Sequence, residues 1–311
     1  MRVIFLGTPE FAAIPLEALA TDPRYEVVGV VTQPDRPFGR GRAPEPPPVK
    51  RVAIRLGIPV FQPETLRDPA AVEQLAALHP DVGVVAAYGE ILRKNVLAIP
   101  PLGYVNIHPS LLPRHRGPTP VPGAILAGDT ETGVTVILLD AKMDSGPILA
   151  QQRVPLPPDA RSDELTEALF RIGSALLLES LARYAEGQLT PSPQDDSQAT
   201  YTKMLKKEDG AIDWSADAVH IERMTRAYQP WPGAQTSWRG QPFKIIAARA
   251  HPEWTGAAAP GTLLREDQGV WVATGAGALE LLTVQPSGKR QLGAADWRRG
   301  LREIEDARLG E

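Results

Sequence analysis

Two stretches of the sequence bring together side chains that handle protons. In VNIHPSLLPRHRG, residues 105–117, Asn106 and His108 stand two apart at the end of a strand-like run, and in DAKMDSGPI, Asp144 follows a second apolar run. Residues two apart on a strand share one face. A histidine that meets a carboxylate is held in one orientation and favoured in its charged form, while a nearby amide adds a hydrogen-bond donor. The three side chains are therefore candidates for oxyanion stabilisation and proton transfer.

The same residues also fit plainer roles, and the pattern alone leaves the choice open. A lone histidine at a strand end is more often packed or solvent-facing, and asparagine and aspartate are common turn residues. Ser110 lacks the G-x-S-x-G setting of a nucleophilic serine. No H-x-x-x-H pair or carboxylate cluster predicts a metal site, and GTPEF, 7–11, differs from the G-x-G-x-x-G dinucleotide motif. The spacing by itself indicates a candidate acyl-transfer site and nothing narrower.

Alternating apolar and helix-periodic stretches predict the elements that position these side chains. Buried strands are predicted at 2–6, 27–31 and 81–89, and two more end at His108 and Asp140. The strand–helix–strand order predicts a doubly wound, mostly parallel α/β sheet of the Rossmann-like kind. Ligands bind beyond the carboxyl ends of such strands. We expect the strands ending at His108 and Asp140 to finish at that same edge, which brings the three candidate side chains together.

A change of character after residue 185 predicts two domains. A helix at 162–185 is followed by EGQLTPSPQDDSQAT, which is rich in Pro, Ser, Gln and Asp and has no periodicity. Beyond it, five short strand-like runs separated by Gly-containing turns predict a small OB-like β-barrel. We predict a catalytic domain at 1–188, a linker at 189–205 and the barrel domain at 206–311.

The composition excludes several kinds of functional site and several classes of protein. The chain has 311 residues, enough for two domains, and a formal net charge of −4, which argues against a general nucleic-acid coat. It has no cysteine, so disulfides, thiolate catalysis and cysteine-ligated zinc are excluded. No apolar run approaches the ~18–20 residues that span a bilayer, and the first residues do not form a signal peptide. We expect a monomeric, cytoplasmic protein without membrane contact.

Local basic segments are typical of RNA-binding surfaces, although the net charge of the chain is negative. Arg36, Arg40 and Arg42 lie in a Gly-containing loop with few acidic neighbours. Guanidinium groups on such a loop fit the phosphates of an RNA stem. Lys206 and Lys207, at the start of the predicted barrel domain, offer further phosphate contacts. A solvated basic loop without a partner is the alternative, and the charges alone do not decide between the two.

Long segments of the chain carry the motifs of one known family. They include NIHPSLLPRHRGPTP and AGDTETGVTVILLDAKMDSGPIL, RVIFLGTPEFA at the start, and RAYQPWPGA and APGTLL in the second half. In these segments the chain resembles the formyltransferases that use 10-formyltetrahydrofolate. The resemblance implies that 10-formyltetrahydrofolate is the co-substrate and that no metal takes part. It also implies that the acceptor is the α-amino group of methionine on charged initiator tRNA, recognised through the Arg-rich loop and the C-terminal domain.

The resemblance also assigns roles residue by residue. It makes Asn106, His108 and Asp144 the catalytic set, in which protonated His108 and the Asn106 amide stabilise the oxyanion and Asp144 orients His108 and helps to move the proton. The residues that it places against or near the folate are Ser110, Leu111, Leu112, Pro113, Tyr88, Ile91, Leu92 and Asp140. His115, between two arginines, has no role in this scheme.

Three other functions stay open at this point. They are a formyltransferase with a small-molecule acceptor, a hydrolase that releases formate, and a tRNA-binding module with an inactive catalytic domain. The Arg-rich loop and the C-terminal domain argue against the first. The presence of Asn106, His108 and Asp144 argues against the third.

Overall fold

A computed structural model describes residues 1–37, 44–264, 269–301 and 307–311. Its contacts divide the chain into two compact units. The first holds Met1–Pro120, Glu131–Pro155 and Thr166–Thr202, and the second holds Val121–Thr130, Leu156–Leu165 and Lys203–Glu311. Each unit has its own buried apolar core.

The elements up to residue 185 are a mixture of strands and helices. The strands are β1 (Arg2–Gly7), β2 (Glu26–Val31), β3 (Arg36–Pro37), β4 (Pro44–Glu45), β5 (Val60–Phe61), β6 (Val82–Ala86), β7 (Tyr104–His108), β8 (Glu131–Leu138) and β9 (Ile148–Pro155). The helices are α1 (Ala13–Thr21), α2 (Pro48–Arg55), α3 (Pro69–Ala76), α4 (Lys94–Leu97), α5 (Pro120–Ala127) and α6 (Ser162–Ala185).

A seven-stranded sheet forms the centre of the first unit, in the order β5-β2-β1-β6-β7-β8-β9. The strands from β5 to β7 run parallel to one another. Residues 3–7 of β1 and 82–86 of β6 are buried throughout, as expected for central strands packed on both faces. Two separate apolar clusters share these strands. The predicted doubly wound, mostly parallel α/β sheet is confirmed.

The direction of β8 differs from the prediction. β8 runs antiparallel to β7, with Leu138 beside Val105 and Thr135 beside His108, so its carboxyl end lies at the opposite edge of the sheet. The loop at 139–147 then returns Asp144 to His108. A strand buried on both faces reads as a continuous apolar run in either direction, so its sequence predicts burial but not orientation. β9, which was not predicted, pairs antiparallel with β8 and contains a run of exposed polar residues at 151–153.

The second unit is built on an antiparallel sheet. Its strands are β10 (Ala234–Trp238), β11 (Gln241–His251), β12 (Leu263–Leu264), β13 (Val270–Ala273), β14 (Ala278–Pro286) and β15 (Leu292–Gly293), and its further helices are α7 (Ala218–Ala227) and α8 (Ala294–Arg299). The order is β10-β11-β14-β13-β12, with β15 on β14. This curled sheet confirms the predicted OB-like fold. In the part of the chain that the structure describes, no helix is long and apolar enough to cross a bilayer.

The segment that was predicted as a linker is tied to the first unit over most of its length. Ser192 and Ile148 exchange two backbone hydrogen bonds of 2.7 and 2.8 Å. Further along, the main chain of Arg116 bonds to the carbonyl of Thr200 at 2.9 Å and to the amide of Thr202 at 2.8 Å. The chain passes from one unit to the other between Thr202 and Lys203. The functional limits 1–188, 189–205 and 206–311 stay a prediction.

Candidate active site

β7 carries Asn106 and His108 on one face at the carboxyl end of the parallel strands. Val105 and Ile107 alternate with them and pack into the larger apolar cluster on the other face. The side chains of Asn106 and His108 are largely enclosed, with 9% and 4% of their residue surface exposed. Among the described residues, none bonds to the Asn106 side-chain amide, which therefore keeps its donors for a ligand.

The imidazole of His108 is held by a hydrogen bond at one nitrogen and faces a carboxylate with the other. Its Nε2 lies 3.0 Å from the backbone carbonyl oxygen of His115. Since a carbonyl only accepts, the proton of the neutral ring sits on Nε2 and leaves Nδ1 as the basic atom. Nδ1 lies 3.7 Å from Oδ2 of Asp144, too long for a hydrogen bond but close enough for an ion pair. The ring is thus oriented to take up a proton beside a carboxylate.

Burial dominates the electrostatics of His108. It lowers the pKa of the imidazole below its ordinary value of 6.5, while the Asp144 charge and the His115 carbonyl act in the opposite direction. Loss of hydration disfavours the charged ring, which is why burial prevails over a single carboxylate. His108 is therefore neutral at pH 7 without substrate. The sequence-based hypothesis gives protonated His108 a role in stabilising the oxyanion, so a ring that is neutral at rest has to take up a proton during the reaction.

Asp144 is fixed through its own main chain and its carboxylate. Its backbone adopts a left-handed conformation with φ of 48°. Oδ2 accepts a 2.8 Å hydrogen bond from the backbone amide of Gly117. The side-chain amide of Gln194 donates to the carbonyls of Asp144 at 2.8 Å and of Gly146 at 2.7 Å. These contacts aim the carboxylate at His108 from a loop that has no regular secondary structure.

The turn after β7, residues 109–113, is anchored to β8. Thr135 donates from Oγ1 to the Ser110 carbonyl at 2.6 Å and accepts from the Leu112 amide at 3.2 Å. Ser110 is fully buried, and its hydroxyl donates to the Arg114 carbonyl at 2.7 Å. Within the predicted folate segment, Leu111 and Pro113 are half-buried and remain accessible, whereas Leu112 is buried.

The other predicted folate residues fall into two groups. Tyr88 and Leu92 lie inside the smaller apolar cluster of the first unit, and burial raises the pKa of the Tyr88 hydroxyl above its ordinary range. Ile91 is exposed, and Asp140 is exposed and accepts hydrogen bonds within its own loop. Of these four side chains, Ile91 and Asp140 are therefore accessible to a ligand.

The predicted tRNA residues lie on exposed positions where the structure describes them. Arg36 forms an ion pair of 3.5 Å with exposed Glu64. Lys206 and Lys207 are exposed, and in the described ranges neither side chain forms an ion pair, although Asp209 accepts a 2.7 Å hydrogen bond from the backbone amide of Lys206. Arg40 and Arg42 fall at 38–43, outside the described residues.

Several supporting residues escaped the sequence reasoning. Thr135 was detectable as one of two hydroxyl residues in an otherwise largely apolar strand, but Gln194 stands in a segment that looked like a linker. His115 acts through its carbonyl, which any residue possesses. No group of three potential metal ligands among His, Asp and Glu occurs in the described part of the chain.

β7, the turn after it and the loop that holds Asp144 are arranged around His108. Comparison with known proteins identifies the class of protein that has this site. The chain belongs to the formyl transferase family: the formyl transferase family model matches residues 1–181, and the model of the formyl transferase C-terminal domain matches residues 204–302.

Particular relatives match over the full length. The methionyl-tRNA formyltransferase of Roseiflexus sp. (strain RS-1) is 67% identical, with 100% of this chain and 96% of the relative covered. That of Chloroflexus aurantiacus (strain ATCC 29366 / DSM 635 / J-10-fl) is 61% identical, with both chains fully covered. Among solved structures, an N-formyltransferase from Helicobacter canadensis in complex with folinic acid and dTDP-3-aminofucose has a TM-score of 0.66 at 17% identity, over 90% of this chain and 98% of that one. At that identity the likeness concerns the fold alone.

Proposed function

We propose that this protein transfers the formyl group of 10-formyltetrahydrofolate to the α-amino group of methionine on charged initiator tRNA, giving N-formylmethionyl-tRNA. The observation that carries the proposal is the 61–67% identity to methionyl-tRNA formyltransferases over 100% of the chain. The paired His108 and Asp144, at the carboxyl edge of a parallel sheet, support it with chemistry suited to acyl transfer.

The catalytic steps follow from the neutral state of His108. The amine attacks the formyl carbon, a C–N bond forms, and the formyl oxygen becomes an oxyanion. The Asn106 amide donates a hydrogen bond to that oxygen. His108 takes the amine proton at Nδ1, and its positive charge is stabilised by Asp144 at 3.7 Å and by the His115 carbonyl. The bond to N10 then breaks, and the proton passes to N10 as tetrahydrofolate leaves.

The folate is proposed to lie against the turn after β7 and the segment around residue 90. Leu111 and Pro113, together with Ile91, provide accessible apolar surface. Ser110, Leu112, Tyr88 and Leu92 support this surface from inside, since their side chains are buried. Asp140 offers an exposed carboxylate to a polar ring edge.

The tRNA is proposed to bind through cations of both domains. Arg36, Arg40 and Arg42 would contact the acceptor stem from the catalytic domain, residues 1–188. Lys206 and Lys207 would contact phosphates from the OB-like domain, residues 206–311, beyond the linker at 189–205. The exposure of both lysines supports this assignment. We further propose that the protein is a monomer in the cytoplasm, where aminoacylated tRNA is available.

One assay tests the proposal against its alternatives. The protein is incubated with 10-formyltetrahydrofolate and methionyl initiator tRNA, and N-formylmethionyl-tRNA, free formate and tetrahydrofolate are measured. We expect one formylmethionyl-tRNA for each tetrahydrofolate, with elongator methionyl-tRNA a poor acceptor. Formate released without the tRNA product indicates a hydrolase instead. Transfer to an amino sugar or glycinamide ribonucleotide, but not to tRNA, contradicts the proposed acceptor.

A further inference from the structure

The first unit contains a buried arginine that the proposed mechanism does not use. Arg116 follows the turn after β7 and has only 2% of its surface exposed. Its guanidinium donates to Oε1 of Gln194 at 2.8 and 3.1 Å, to Asp196 at 2.7 Å and to the Tyr201 hydroxyl at 3.3 Å. A buried charge needs such a set of acceptors to replace water. All three partners belong to the segment that the sequence predicted as a linker.

Arg116 fixes the orientation of the Gln194 amide. A guanidinium can only donate, so the Gln194 oxygen must face Arg116 and its nitrogen must face the other way. That nitrogen has two N–H groups, and they are used on the carbonyls of Asp144 and Gly146 at 2.8 and 2.7 Å. Both carbonyls only accept. The amide therefore has one orientation, with no competing partner of the opposite kind.

Gln194 holds the main chain at and directly after Asp144, the residue whose position matters most. Asp144 is in the left-handed region, with φ of 48°, a conformation that a non-glycine residue keeps only when its surroundings hold it. The two bonds from Gln194 go to the carbonyls of Asp144 and Gly146, so they hold the main chain at and just after this left-handed residue. The carboxylate is aimed at His108 at 3.7 Å and accepts from Gly117 at 2.8 Å. Gly117 directly follows Arg116 in the chain. The contact of Gly117 with the Asp144 carboxylate and the contacts of Gln194 with the main chain therefore both depend on how Arg116 is held.

We infer that Gln194 is a positioning residue for the proposed formyl transfer: oriented by buried Arg116, it holds the turn that aims the Asp144 carboxylate at His108. The inference rests on the proposed function for its kinetic consequence, but the geometry that it describes does not depend on the acceptor. Misplacement of a catalytic group by about 1 Å can cost about 10²-fold in rate. Contacts from Gln194 that fix the turn at Asp144 are therefore expected to affect the rate of transfer.

The variant Gln194→Glu separates this role from general support of Arg116. The carboxylate still accepts from the guanidinium, but it offers no N–H to the carbonyls of Asp144 and Gly146. We expect kcat for methionyl-tRNA formylation to fall about 10- to 100-fold, with both KM values changed by less than about twofold. The matched control is Gln198→Glu, the same change on the same segment at an exposed residue whose amide bonds only within 195–198. It should keep wild-type kcat.

A double-mutant cycle with Asp144→Asn identifies the route of the effect. If Gln194 acts through Asp144, Gln194→Glu lowers the single-turnover rate in the wild-type background and by less than about twofold in the Asp144→Asn background. Equal losses in both backgrounds overturn the inference, as does wild-type kcat in Gln194→Glu. Should that variant fail to fold, Gln194→Met, which is of similar length and uncharged, takes its place in the cycle.

Hydrogen exchange at the Gly117 amide gives a readout without substrate. We expect it to exchange at least about tenfold faster in Gln194→Glu than in the wild type, since its acceptor moves, and to be unchanged in Gln198→Glu. Unchanged exchange in Gln194→Glu refutes the positioning role. If the wild type itself gives no formylmethionyl-tRNA, the proposed function fails, and the exchange experiment still decides on Gln194.

Discussion

Replacing Asp144 by asparagine removes one charge and leaves the surrounding backbone contacts in place. The amide oxygen of the new side chain can still accept from the Gly117 amide, which is 2.8 Å from Oδ2 in the wild type. Gln194 bonds to main-chain carbonyls and is unaffected. Asp144→Asn therefore tests the electrostatic partner of His108 with little change in the shape of the loop.

The magnitude follows from the distance between the two groups. Unit charges separated by about 4 Å attract by about 4 kcal/mol at the effective dielectric constant of ~20 that suits protein sites. Nδ1 and Oδ2 are 3.7 Å apart in the structure, so most of this attraction is available to the imidazolium that forms during transfer. A loss of about 3–4 kcal/mol lowers kcat by about 10²–10³-fold. Binding of folate and tRNA should change little, because the charge difference arises only as the proton moves.

The assay is single-turnover formylation of methionyl-tRNA at saturating co-substrate, measured from pH 5.5 to 8.5. A parallel titration of His108 by NMR should place its pKa lower in Asp144→Asn than in the wild type, since the carboxylate charge raises that pKa. Glu73→Gln, which removes an exposed charge on α3, is the control and should match the wild type. A turnover within about threefold of the wild type, with an unchanged His108 titration, refutes the electrostatic role of Asp144.

Three further outcomes test stability and tRNA recognition. Burial lowers the folded-state pKa of His108 below 6.5, so the stability from its neutral ring is complete above about pH 6.5 and is lost as the pH falls towards the folded value. In urea unfolding over that pH range, the free energy of unfolding of the wild type should fall by up to about 1.4 kcal/mol per pH unit more than that of His108→Gln. The same pH dependence in both proteins contradicts this. Gly83→Ala places a methyl group against the ring of Tyr104 and should lower the free energy of unfolding by about 1–3 kcal/mol, whereas Gly300→Ala, with 3.4 Å of clearance, should not. Arg42→Leu should raise KM for methionyl-tRNA about tenfold and leave KM for 10-formyltetrahydrofolate unchanged, and equal changes in both count against a tRNA contact.

The sequence predicted most of the fold because buried strands and long helices leave strong periodic patterns. α6 begins and ends where the pattern indicated, at Ser162–Ala185, and the parallel order of β1, β2 and β6 follows from their helical connections. The predicted direction of β8 was wrong, because an apolar run in the sequence does not indicate which way the strand runs in the sheet. Strand β9 was missed since exposed polar residues interrupt it at the edge of the sheet.

The candidate site was predictable only where the proposed role belongs to a side chain. Asn106, His108 and Asp144 have functional groups that the sequence displays, and the structure places His108 beside Asp144. The carbonyl of His115 is invisible to such reasoning, since every residue has one. The charge state of His108 was also beyond reach, because burial, which controls the pKa, depends on packing between distant segments.

The ordered segment at 192–202 has a practical meaning for dissecting the protein. A fragment ending at residue 188, the predicted limit of catalysis, would lack Gln194, Asp196 and Tyr201 and leave the Arg116 guanidinium without these acceptors. It would also lack Thr200 and Thr202, which pair with the main chain beside that arginine. An autonomous N-terminal fragment must therefore extend at least to Thr202. Cleavage by a protease between 189 and 202 would cut the segment that supplies these contacts to Arg116.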